Sequence, residues 1–112
     1  MKYKPQLLSA TPRKRFYAPG YSATLLGDVR TAGLMRYAQL LVVFGQTPNE
    51  PVLIVSSEFF DEGPETVLGL FDDNGHQTLY NEGGGWTDEA KFAAKALLIA
   101  NERLQVDLKE QP

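Results

Sequence analysis

Cysteine is absent from this chain of 112 residues. That removes disulfides, thiolate metal sites, iron–sulfur clusters and a cysteine nucleophile together. Histidine occurs once, at position 76, and tryptophan once, at position 86. No Asn-x-Ser/Thr acceptor site is present. Long apolar runs are missing too. The longest, Leu40-Leu41-Val42-Val43-Phe44, falls far short of the ~20 residues that span a bilayer. The opening residues offer no apolar segment of signal-peptide length. These absences lead to the expectation of a cytoplasmic protein with no membrane partner, no cofactor and no metal.

Apolar residues make up 43% and charged residues 22%, the balance of an ordinary folded domain. The net charge of −3 hides a division. Up to Arg36 there are seven basic residues and one acid, a net +6. From Tyr37 onward four basic residues face thirteen acids, a net −9. Such a split predicts that the basic segment meets something acidic, either this protein's own acidic face or an external partner.

Residues 1–20 are interrupted by Pro5, Pro12 and Pro19, and proline blocks both helix interiors and strand ladders. They read as a basic arm with at most one short strand near Phe16-Tyr17. Residues 21–106 read as one α+β domain and residues 107–112 as a polar tail. Within the domain, 21–29 suggests a strand. The β-branched and aromatic residues of 34–44 favour strand over helix. Val52-Leu53-Ile54-Val55 reads as a central strand buried on both faces. Residues 66–72 and 76–81, separated by Asp73-Asn74-Gly75, form a hairpin signal. After Gly83-Gly84-Gly85, Thr87 is a plausible N-cap. Phe92, Ala93, Ala96, Leu97, Ala100 and Leu104 then repeat at helical spacing over a helix of roughly 19 residues. The expected architecture is an antiparallel sheet of four to five strands with one C-terminal helix packed on one face. The expected core comprises Leu41, Val43, Val52, Ile54, Leu68, Leu70, Phe92, Ala96, Leu97, Ala100 and Leu104.

No catalytic motif emerges. His76 sits beside Asp72 and Asp73, and a histidine near a carboxylate can serve as a general base. With no local nucleophile, it reads first as a solvated residue following a tight turn. Asp72-Asp73-Asn74-Gly75 fails as an EF-hand, because Leu70 and Asn81 stand where ligands are needed. The triple glycine lacks the Gly-Lys-Ser/Thr of a phosphate loop, and Asp88 and Glu89 would repel phosphate. Glu58, Asp61, Glu62 and Glu65 form an acidic cluster that suits a basic partner better than a magnesium site. Lys2-Tyr3-Lys4 and Arg13-Lys14-Arg15-Phe16-Tyr17 interleave cations with aromatics, as single-stranded nucleic acid binding requires. The acidic remainder of the chain argues against that use. Trp86, with Phe59, Phe60 and Tyr80, either frames a pocket or covers the end of the core.

The leading expectation is a non-catalytic interaction module: an adaptor, inhibitor or immunity-type protein, monomeric or homodimeric, that binds another protein. Its contact residues would be Arg13, Lys14, Arg15, Trp86, Glu58, Asp61 and Glu62. The first alternative is a small enzyme or ligand-binding domain with a pocket near Trp86 and His76. The second is a nucleic-acid-binding module that works through the basic arm.

Overall fold

Alternating and apolar stretches in this chain build one sheet much wider than expected. A computed structural model describes all residues except Lys2, Pro48, Asp61, Glu62 and Pro112. Seven strands and one α-helix follow in the order β1 (Leu7–Ala18), β2 (Tyr21–Thr31), β3 (Tyr37–Phe44), β4 (Pro51–Phe59), β5 (Thr66–Asp72), β6 (Gly75–Leu79), α1 (Glu89–Leu104) and β7 (Lys109–Glu110). The spatial order is β6-β5-β4-β3-β2-β1-β7, and all neighbours are antiparallel. The first six strands therefore form a simple meander. The helix then carries the chain from the β6 edge back to the β1 edge. Its 16 residues span about 24 Å, matching the five inter-strand spacings from β6 to β1. The radius of gyration is 12.9 Å, that of one folded unit of this length. Among the described residues, no helix is long and apolar enough to cross a membrane.

Four expectations need correction. The sheet has seven strands, not four to five. The two extra strands come from segments read as an arm and a tail. Residues 7–18 are strand β1, paired with β2 from Leu7↔Thr31 to Ala18↔Tyr21. Pro12 is tolerated because the register shifts between Pro12 and Lys14, so its missing N–H falls at a bulge. Proline punctuation identified an irregular strand as a non-strand. The tail is also ordered. Gln105 takes a left-handed φ of 56°, and Asn101 Oδ1 accepts from Leu108 N at 2.9 Å. Leu108 is buried, and β7 pairs with β1 at Phe16↔Glu110 and Tyr17↔Lys109. Finally, Asp88 caps the helix in place of Thr87, accepting from Lys91 N at 2.9 Å.

The 66–81 hairpin forms as expected, with Leu68↔Leu79 to Asp72↔Gly75 in register. Gly75 alone supplies the positive φ, 118°, while Asn74 N donates to Asp72 Oδ1 at 2.8 Å.

The sheet has apolar side chains on both faces. On the helix side, Phe16, Leu25, Leu41, Val43, Val55, Leu68, Phe92, Ala96 and Ala100 form the main core. Val52, Leu97 and Leu104 only pack against its rim. On the other side, Tyr37, Leu40, Val42, Ile54 and Phe71 form a second cluster. Ile54 belongs to this second cluster and not to the core under the helix. Phe92 is fully buried at the centre of the main core. Phe92→Ala is expected to cost about 3–5 kcal/mol, measured as a shift in the midpoint of denaturant unfolding.

Candidate functional site

In Ser56-Ser57-Glu58, alternate residues face opposite sides of strand β4. Ser57 points towards the helix side, where its Oγ donates to Trp86 O at 2.7 Å. Thr66 Oγ1 accepts from Trp86 N at 2.8 Å, and Gln39 Nε2 donates to Thr87 O at 2.8 Å. Three buried polar side chains from three strands thus pin the segment after the triple glycine. Trp86 is inserted into the core, with Lys91 Nζ 4.6 Å from its ring centroid. It is a plug at the end of the core and not a pocket wall. Phe60, Tyr80 and the triple glycine line a separate cavity from which Trp86 is absent.

Ser56 and Glu58 face the other way. Glu58, read in sequence as part of an acidic cluster suited to a basic partner, is only 2% exposed. Ser56 Oγ donates to Glu58 Oε2 at 2.9 Å, and His76 Nε2 lies 2.6 Å from the same oxygen. With Glu58 as a carboxylate, the histidine proton sits on Nε2. The imidazole stacks on Phe71 at 4.4 Å between centroids, and Phe71 meets Tyr37 edge-on at 6.4 Å. His76 is therefore not merely a solvated residue after a turn. A buried carboxylate and an aromatic face fix its ring. Gly69 makes the arrangement possible: a Cβ there would stand 2.3 Å from Glu58 Oε2 and 2.4 Å from Ser56 Oγ. Burial, and then the negative charge of Glu58, push the Tyr37 phenol up to about 12.

The N-terminal segment lies across this same face. Met1 packs against the second apolar cluster, and its ammonium pairs with Glu50 in the β3–β4 turn. Gln6 O accepts from Ala32 N at 2.9 Å. Hydrogen bonding from the Met1 ammonium, and then the charge of Lys4, hold the Glu50 carboxyl below its ordinary range. The segment does not fill the face. A cavity of about 480 Å³ remains beneath it, walled by Leu26, Leu40, Val42, Phe44 and Ile54. A second cavity of about 320 Å³, lined by Tyr37, Phe71 and His76, shares Lys4 and Gln6 with the first.

Comparisons with protein-family models, with curated proteins and with solved structures find no match. What the site can do follows from its own chemistry. A carboxylate–histidine pair can move a proton, but Ser56 is fully buried and directed at Glu58, not at the imidazole. Among the described residues, no three His, Asp or Glu side chains converge as metal ligands.

The residues singled out in sequence are dispersed. Arg13 and Lys14 lie on β1 and pair with acids of the same molecule. Arg13 Nη2 is 2.7 Å from Asp28 Oδ2, and Lys14 Nζ is 3.3 Å from Glu110 Oε1. Arg15 lies exposed on the same strand. Asp61 and Glu62 lie outside the described residues. The site instead joins Glu58 and His76 to Tyr37 and Gly69, neither of which any motif marks. A glycine at the centre of an apolar strand was the one available signal of close approach.

Two outcomes test this geometry. Gly69→Ala is expected to displace the Glu58 carboxylate, costing about 1–3 kcal/mol and changing the imidazole nitrogen shifts of His76. The Tyr37 phenol ionises at 10.0 when unfolded and at about 12 in the fold. The folded state therefore holds that proton more tightly. The associated stability is complete below pH 10 and is lost as pH rises towards 12. Tyr37→Phe should remove this late ionisation from the phenolate absorbance titration and flatten stability across the same window.

Proposed function

We propose that this chain is a non-catalytic binding domain that takes a mainly apolar small ligand on the helix-free face of the sheet, beneath the N-terminal segment. The observation that carries this reading is the cavity of about 480 Å³ whose wall is Leu26, Leu40, Val42, Phe44 and Ile54. Its size falls in the range of small-molecule sites, and a few polar groups stand at its margin, as such sites require. An apolar wall of this kind gains from water removal whatever the ligand's exact shape. The hydroxyl of Ser56 is buried and donates to Glu58, which weighs against its use as a nucleophile.

A second reading is the one expected from composition, an interaction module that binds another protein. One observation favours it. Leu7, Leu8, Leu34 and Met35 are all exposed, Leu34 completely, near the turn that follows β2. Exposed apolar side chains gathered at one end suit a protein contact better than solvent. The basic residues favour this reading less, since Arg13 and Lys14 are engaged by Asp28, Glu89 and Glu110. The same engagement weakens a nucleic-acid role.

Thr24 lines the cavity and pairs with Val42 across β2 and β3. Thr24→Phe should fill it with a residue that strands accept. An environment-sensitive apolar dye is expected to bind the parent protein and to lose its fluorescence enhancement in Thr24→Phe, with the melting temperature preserved. Equal dye binding by both proteins would remove the cavity from consideration.

A further inference from the structure

We infer that the ligand of this face is a single-chain organic acid, with its apolar body in the cavity and its carboxylate at Lys4. The inference rests on the binding-face reading above and adds to it the chemistry of the ligand's polar end.

The placement of charge carries it. Among the described residues lining the larger cavity, Lys4 is the one charged side chain, and it is a cation. The remaining polar groups there are neutral: Gln6, Thr24 and Asn49. Lys4 also lines the cavity beside His76 and the one beside Met35. Its ion-pair partner is Glu50, at 4.0 Å, beyond hydrogen-bond length, and that carboxylate is already engaged by the Met1 ammonium. The Lys4 side chain is 45% exposed, so an incoming carboxylate can reach it without opening the core.

The alternatives fit less well. A cationic ligand would face Lys4 across an apolar wall, and the Glu50 carboxylate is already paired with the Met1 ammonium. A polar ligand of the same volume would lose its hydration against Leu40, Val42 and Ile54 with nothing returned. An amphipathic acid loses neither: its chain leaves water, and its carboxylate accepts charge-assisted bonds from the ammonium.

The test is calorimetric titration at neutral pH with three probes: decanoate, decan-1-ol as the same chain without charge, and acetate as the head alone. Decanoate is expected to bind more tightly than decanol, and acetate not to bind measurably. Lys4→Gln should weaken decanoate by about tenfold or more while leaving decanol unchanged. Thr24→Phe should abolish binding of both, with Val42→Phe as the second cavity-filling variant should Thr24→Phe melt early. Equal binding of decanoate and decanol, or no effect of Lys4→Gln, would overturn the acidic end and leave the apolar site standing. Failure of both long-chain probes to bind would overturn the binding-face reading as well. Decanoate binding that survives both filled cavities would place it elsewhere and overturn the inference.

Discussion

A wide antiparallel sheet has two faces, and among the described residues there is one α-helix to cover them. Strands β3, β4 and β5 carry apolar residues on both sides, so burial under α1 leaves Leu40, Val42, Ile54 and Phe71 facing the other way. Each of these side chains is worth about 1.5–3 kcal/mol when removed from water. The fold therefore needs a second cover. The N-terminal segment supplies it, held at the β3–β4 turn through Glu50 and after β2 through Ala32. A short extended segment cannot fill the space a helix would occupy. The cavity beneath it follows from that mismatch.

The same two-sidedness explains how one strand manages two polar arrangements. Ser57 faces the helix side and fixes the segment that carries Trp86 into the core. Ser56 and Glu58 face away and fix His76. A carboxylate buried this deeply is costly unless its lone pairs are satisfied. Here a hydroxyl and an imidazole converge on Oε2, and the missing side chain of Gly69 provides the room. An apolar pair, such as valine and leucine, would fill that space with less desolvation. Keeping the polar set positions the imidazole on Phe71, where it lines the second cavity.

Local patterns explain which elements were legible. The hairpin from 66 to 79 announces itself because its turn needs a glycine at positive φ and has one at Gly75. Helix α1 is visible through its stripe of Phe92, Ala96 and Ala100. β1 was hidden because most of its side chains are exposed and Pro12, with Pro5 and Pro19 on its flanks, resembles a breaker, while its stability comes from pairing with β2 over nearly its whole length. β7 was hidden because two residues have no period. Its pairing exists only because Asn101 and the left-handed Gln105 turn the chain back onto β1. The charge division between the two parts of the sequence resolves in the same way. Arg13 and Lys14 meet Glu89 and Glu110 of the acidic part once β1 lies beside the helix N-terminus and β7.

By itself, then, the sequence determined the α+β class, the helix, the central strands and the hairpin, because each depends on contacts or backbone angles set within a few residues. It determined equally that no thiol chemistry is available. Only the tertiary structure decided that the basic segment is a strand and that Trp86 is a plug. It also decided that Ser56, Glu58, Gly69 and His76 share one face. Those outcomes depend on cross-strand register. A shift of one residue between β4 and β5 would turn Gly69 away from Glu58 and leave the carboxylate without space. Register is fixed by how both faces of the sheet are covered at once, and no local pattern of residues encodes that.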